Sequence, residues 1–299
     1  FRVHVFGGGG PGLLLARPGS RSRPRPFQLL LGHVDTVWPL GTVDEMPVRV
    51  EGDTMRGPGV YDMKAGLVQG LFAAEALGAV MPEAPVVPVF LINADEEIGS
   101  HGSTPHIRRL AARADRVYVL EPSLGPGGKL KTARKGIGRY TITVKGEAAH
   151  AGLDPDKGAS AILELSHVVQ ALFALNDRNQ GVTVNVGVID GGLRPNVVAP
   201  ESRAVVDVRV PSAEDARRID AAIRGLRAVT PGTSIDVEGG IGRPPMERTS
   251  GNHRLWTLAR RAAEALDMDL DQAAAGGGSD ANTTSQYAPT LDGLGAVGA

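Results

Sequence analysis

The chain has 299 residues, enough for one large domain or two ordinary ones. With 42% hydrophobic and 22% charged residues and a net charge of −1, it has a globular composition and no long-range field favouring nucleic acid or an anionic membrane. It contains no cysteine, which excludes disulfides, thiolate metal sites and a cysteine nucleophile together, so any metal must be held by His, Asp and Glu.

In chain order, Phe1 to Phe6 lacks the basic start and long apolar core of a signal peptide and reads as a strand. Gly7-x-Gly9-x-x-Gly12 formally matches a dinucleotide-binding pattern. Pro11 lies inside it, however, and the Arg/Pro/Ser-rich stretch Arg17 to Arg25 follows where a helix should begin. A glycine-rich hairpin turn fits better, followed by a solvated surface loop. Phe27 to Leu31 is an apolar strand, and Leu67, Leu71, Ala74 and Leu77 recur at the spacing of a helix over Met63 to Leu77. Val86 to Ile92, interrupted by Pro88, and Val117 to Leu120 are two more strands. No apolar run is long enough to span a bilayer.

The middle of the chain has another rhythm. Arg139 to Lys145 alternates as a half-buried strand does, Gly158 to Leu175 is helical, and Val182 to Ile189 alternates again. A strand over Ala204 to Val210, a helix over Ala213 to Ala228 and a strand over Ser234 to Glu238 complete the order β-α-β-β-α-β. That order predicts a ferredoxin-like α+β insert over residues 135–243. Residues 1–134 and 244–299, including a helix over Leu255 to Leu266 and the glycine loop at Gly276 to Asp280, then form one α/β domain around the insert.

The three strands of the first part end in His33 and Asp35, in Asp95 to Glu97, and in Glu121. Ligands of open α/β sheets bind beyond the carboxyl ends of strands. Polar strand ends are common because loops are wet, so one such end carries nothing, whereas three ending in metal-type ligands point to a site. His33 can ligate through one ring nitrogen while a carboxylate such as Asp35 fixes the other. Asp62, where a loop enters a helix, reads as an N-cap or as a carboxylate between cations. With a metal present, adjacent Glu96 and Glu97 can split the roles of general base and ligand. His150, in Gly-Glu-Ala-Ala-His-Ala-Gly, reads by itself as a surface histidine.

Gly-His-Val-Asp-Thr-Val around His33, Gly-Val-Tyr-Asp-Met-Lys-Ala-Gly around Asp62 and Asp-Glu-Glu-Ile-Gly-Ser around Glu97, followed by Glu121 and His150 in this order, closely resemble the M20 family of metallopeptidases. The resemblance implies an α/β, mixed-sheet zinc-peptidase catalytic domain with an inserted ferredoxin-like α+β lid and dimerisation domain. It implies two Zn2+ ions per complete subunit, with Co2+ or Mn2+ able to replace them. Asp62 would bridge the ions, His33 and Glu121 would complete one ion's ligands, and Glu97 would bind the other. Glu96 would take the proton of the attacking water, Asp35 would orient His33, and His150 would act across a homodimer on the oxyanion. Asn196 matches a lid asparagine that contacts substrate, Arg243 an arginine that grips the substrate carboxylate, and Lys129 a lysine of the glutamate carboxypeptidase branch. Arg243 and Lys129 also read as solvated surface charges.

The expected activity is zinc-dependent removal of a C-terminal amino acid, glutamate among the candidates, from small peptides or N-acyl amino acids, in the cytoplasm, without nucleic-acid or membrane partners. An aminoacylase or deacylase of the same family and a non-catalytic binding homologue are the alternatives. The family has a further metal-ligand histidine near its C-terminus, and the chain stops at Gly295 to Ala299, before it. With no initiator Met either, the resemblance implies that the chain is clipped at both ends.

Overall fold

The computed structural model describes residues 1–7, 12–17 and 26–298. Two compact units divide the chain: residues 1–134, 246–275 and 279–299 in the first, and residues 135–245 and 276–278 in the second. The chain leaves and re-enters the first unit at Arg134 and Met246, whose backbones exchange two hydrogen bonds at 2.9 and 3.0 Å.

The first unit is built on a six-stranded mixed sheet. Its order is Arg2–Phe6, Leu13–Arg17, Val87–Asn93, Phe27–His33, Arg116–Val119 and Thr290–Leu291. The first two strands run antiparallel to their neighbours and the rest are mutually parallel. Central parallel strands are covered on both faces, which is why these segments read as continuous apolar runs. Leu29, Leu31, Val89, Leu91, Val117 and Val119 form one core with Ile107 and Ala111 of the helix Thr104–Ala111. The alternate residues Leu30 and Phe90 meet Leu67 and Ala74 of the helix Ala65–Val80 on the other face. Pro88 is tolerated inside the sheet because pairing with Leu13–Arg17 runs only from Asn93 to Phe90, so no neighbour there needs an N–H from it.

Several sequence expectations shift. A strand, Leu13–Arg17, follows Gly12 where a dinucleotide-binding motif would start a helix, and it pairs with Arg2–Phe6 in a register that sets Phe6 opposite Leu13. Residues 8–11 of the expected turn and residues 18–25 of the expected surface loop lie outside the described residues. The helix expected from Met63 starts at Ala65, because Asp62 and Met63 hold non-helical dihedrals in a tight turn with a cis peptide between them. Asp62 is therefore not the helix cap, a position that Lys64 occupies without a side-chain bond.

The second unit is a four-stranded antiparallel sheet in the order Thr183–Gly191, Glu201–Val210, Gly136–Lys145 and Ser234–Arg243. With the helices Ala161–Phe173 and Ala213–Arg224 it has the expected β-α-β-β-α-β order and a ferredoxin-like strand arrangement. Tyr140, Ile142, Val144, Val206, Val208, Leu165, Ile219 and Ile223 are fully or almost fully buried between sheet and helices. Both helices start on serines, Ser160 and Ser212, that accept a backbone N–H from three residues on. The residues 276–278, expected with the catalytic part, belong to the second unit by their contacts. No helix among the described residues is long and apolar enough to cross a membrane.

Candidate metal centre

The three neighbouring parallel strands of the first unit bring their carboxyl ends side by side. His33 is the last residue of the middle strand, Asn93 ends the next and leads into Asp95 to Glu97, and Glu121 lies two residues past Val119. The turn before the helix Ala65–Val80 adds Asp62 from the side. One ligand atom each from His33, Asp62 and Glu121 lies within 4.8 Å of the others. His33 Nε2 stands 3.2 Å from Asp62 Oδ1 and 3.6 Å from Glu121 Oε1.

The ring of His33 is buried and its other nitrogen is held. Nδ1 lies 3.1 Å from the backbone carbonyl of Asp35 and 3.4 Å from its carboxylate. The carbonyl is thus the nearer orienting partner, although the sequence suggested the carboxylate. With Nδ1 as donor, Nε2 is the ring nitrogen that faces the two acids, and it can offer a lone pair to a cation only once it has given up its proton. Asp35 Oδ2 accepts the backbone N–H of Glu97 at 2.9 Å, so one aspartate braces both the imidazole and the acidic loop.

Electrostatics show which charge the cluster favours. Burial alone would lower the pKa of His33, yet Asp62, Glu121 and Glu96 push it up to about 11. Burial and the neighbouring Asp62, Asp35 and Glu121 raise that of Glu97, with His33 opposing. Asp62 is held below its ordinary value chiefly by His33, against its own burial. The acids at this point demand positive charge. Asp62 Oδ1 is itself buried and makes no hydrogen bond beyond its 3.2 Å approach to His33 Nε2, while the side chain as a whole is 47% exposed. A buried acceptor facing an imidazole and a second carboxylate, with the rest of its carboxylate open to solvent, suits a cation. The donor set of one nitrogen and carboxylate oxygens fits zinc or a similar divalent ion.

Of the other expected site residues, Glu96 and Glu97 sit in the adjoining loop, both half-buried, and Glu97 stands outside the triad. Asp95, beside them, supports the backbone, because its Oδ2 accepts the N–H groups of Gly102 and Ser103 ahead of the helix Thr104–Ala111. Lys129 is exposed and paired to Asp271 at 2.6 Å. In the second unit, the segments carrying His150 and Asn196 pair with each other: Ala151 N–H donates to Asn196 O at 3.0 Å and Val198 N–H to Ala149 O at 2.9 Å. The exposed His150 accepts the N–H groups of Gly152 and Leu153 on Nδ1 at 3.1 and 3.2 Å, which places the ring proton on Nε2. Arg243 ends the strand Ser234–Arg243, half-buried.

Sequence reasoning missed the residues behind the triad. Arg134 is buried between Glu121 and Asp292, and Asp280 accepts from Ser100 and Asn93 at the end of the Val87–Asn93 strand. A charged residue ending Leu-Lys-Thr-Ala-Arg was the available signal for Arg134; nothing in the spacing marks Asp292.

Comparison with known proteins agrees with this fold. Residues 132–230 match the M20 peptidase dimerisation domain. Carboxypeptidase G2 of Pseudomonas sp. strain RS-16 is 30% identical over 280 residues, covering 90% of this chain and 66% of that enzyme. The chain belongs to the M20 peptidase family. Among solved structures of similar fold, the aminopeptidase PepT from Bacillus cereus superposes with a TM-score of 0.74 at 25% identity, over 99% of this chain and 81% of PepT. The Bacillus subtilis YXEP protein, described as a dinuclear metal-binding peptidase of the M20 family, does so at 0.63 with 14% identity, over 97% of this chain and 77% of its own. The M20 chain described here therefore spans about two thirds to four fifths of the lengths of these relatives.

Proposed function

We propose that the protein is a metal-dependent hydrolase of amide bonds that removes a C-terminal amino acid from small peptides or N-acyl amino acids. The observation that carries this reading is the convergence of one ligand atom each from His33, Asp62 and Glu121 within 4.8 Å of one another. In this reading His33, Asp62, Glu121 and Glu97 would hold two divalent ions, zinc by family. Metal bound there supplies Lewis acidity toward a substrate carbonyl and toward water.

The protein's own residues supply the rest. The carboxylate of Glu96 receives the proton lost by the attacking water and returns it to the leaving amine. Asp35 keeps the His33 ring in one tautomer and orientation. His150, with its proton on Nε2, is equipped to donate to an oxyanion, and Asn196 is carried on the segment paired with it. The planar guanidinium of Arg243 suits bidentate capture of a free carboxylate. A preference for C-terminal glutamate requires Lys129 to exchange Asp271 for the substrate's side-chain carboxylate. The insert serves as the dimerisation unit of a homodimer.

The test is an assay of chelator-stripped protein on peptides ending in glutamate and on N-acyl amino acids, with and without added Zn2+, Co2+ or Mn2+. Hydrolysis that appears only with metal supports the proposal. Metal-dependent binding without turnover on any of these amides would leave a binding homologue instead.

A further inference from the structure

We infer that Arg134 is a positioning residue for the metal centre: anchored by Asp292, it turns Glu121 so that one carboxylate oxygen faces His33 and Asp62. The inference rests on the metal-site reading above. Glu121 divides its two oxygens, with Oε1 3.6 Å from His33 Nε2 and Oε2 3.7 Å from Arg134 Nη2. The second distance is that of an ion pair and not of a hydrogen bond. Arg134 is itself only 4% exposed, and its Nε donates to Asp292 Oδ2 at 2.5 Å.

Asp292 is fully buried and held at both oxygens. Ser279 Oγ donates to Oδ2 at 3.0 Å and the backbone N–H of Gly293 to Oδ1 at 2.5 Å. The backbone around it is fixed as well, since Lys131 N–H donates to Asp292 O at 2.8 Å. The chain of contacts therefore runs from rigid backbone through Asp292 and the planar fork of Arg134 to the outer oxygen of Glu121. A carboxylate ligand left to itself rotates and can offer either oxygen or both; a fixed cation on its outer oxygen selects the other one.

A second role would use the same residues differently. If Arg134 merely offset the excess negative charge of the cluster, only its charge would matter, and a guanidinium so near a bound cation would repel it. The two roles give opposite results. Arg134→Lys keeps the charge but loses the fork that reaches Asp292 and Glu121 together. Arg134→Met removes both.

The experiment measures Zn2+ affinity of the purified protein by competition with a chromophoric chelator and records the visible spectrum of the Co2+ form. Positioning predicts about 10- to 100-fold weaker binding of an ion in both variants, with a changed Co2+ spectrum. Unchanged affinity in Arg134→Lys, or tighter binding in Arg134→Met, would overturn the inference. Asp292→Asn, which keeps the guanidinium but weakens its anchor, provides the decision where the arginine variants fail to fold. Weaker binding with an altered Co2+ spectrum supports positioning, and wild-type affinity refutes it. A wild-type protein that binds no Zn2+ would instead remove the metal-site reading on which the inference rests.

Discussion

At the scale of single residues, the site depends on acids with different roles at close quarters. His33, Asp62 and Glu121 share one focus, whereas Glu96 lies in the adjoining loop outside that triad. This separation predicts separable losses. Glu96→Gln should lower turnover by about 10²- to 10⁴-fold, the usual worth of a general base, while metal content measured by atomic absorption stays at the wild-type level. Asp62→Asn should lose metal and activity together, because the oxygen facing His33 no longer carries charge. Equal metal loss in both variants would mean that Glu96 is a ligand and that the roles are misassigned. The meeting of His33, Asp62 and Glu121 could be expected from the sequence only through the family resemblance that their motifs carry, since each signal is weak by itself. Arg134 and Asp292 could not be expected, because a lone buried charge leaves no spacing or periodicity to read, and its partner lies 158 positions away.

At the scale of elements, close backbone approach places the ligands. A Cβ at Gly66, in the first turn of the helix Ala65–Val80, would lie 2.1 Å from the carbonyl oxygen of Leu120, the residue before Glu121. A Cβ at Gly78, later in the same helix, would meet nothing within 4 Å. Gly66→Ala should therefore push the Glu121 segment away, costing about 1–3 kcal/mol or more and weakening metal binding. Gly78→Ala should stabilise by about 0.5–1 kcal/mol, as alanine does in an exposed helix interior. Chemical denaturation of the two variants distinguishes this from a general intolerance of the helix to substitution.

In the second unit, buried Glu164 on the helix Ala161–Phe173 accepts the backbone N–H groups of Val229 and Thr230 at 3.1 and 2.6 Å. Burial opposes its ionisation, but these donors hold its carboxyl below the ordinary 4.5. A depressed carboxyl pKa contributes stability that is present in full above 4.5 and is lost as the pH falls through the lowered folded value. Glu164→Gln should cost about 1.5–3 kcal/mol near neutral pH, and its melting temperature should converge on that of the wild type in acid. A gap that stays constant down to pH 3, a value chosen about 1.5 below the free carboxyl, would contradict this assignment. The helices and long strands of this unit could be read in advance because their apolar positions keep strict periods. The strand Leu130–Arg134 and the hairpin of Arg49–Glu51 with Thr54–Arg56 could not, since their polar sequences carry no alternation and their pairing comes from tertiary context.

At the scale of the whole molecule, each unit has its own core and its own share of the expected machinery. The first holds the candidate ligands at the ends of its parallel strands, and the second carries His150 and Asn196 on paired segments and Arg243 at a strand end. The α/β class and the β-α-β-β-α-β insert followed from the alternation of apolar patterns, whereas the antiparallel strand Leu13–Arg17 that makes the sheet mixed did not. The cis turn at Asp62 did not, because a loop residue beside a helix pattern looks like a cap until the backbone is seen. The central claim is that distant acids and one imidazole meet to hold divalent metal. Anomalous X-ray scattering recorded on either side of the zinc absorption edge, from crystals of the protein grown with Zn2+, tests it most directly. The account predicts a strong peak within coordination distance of His33 Nε2, Asp62 and Glu121, with a second beside Asp62 toward Glu97. Crystals that show zinc bound only elsewhere, with these side chains unengaged, would contradict it.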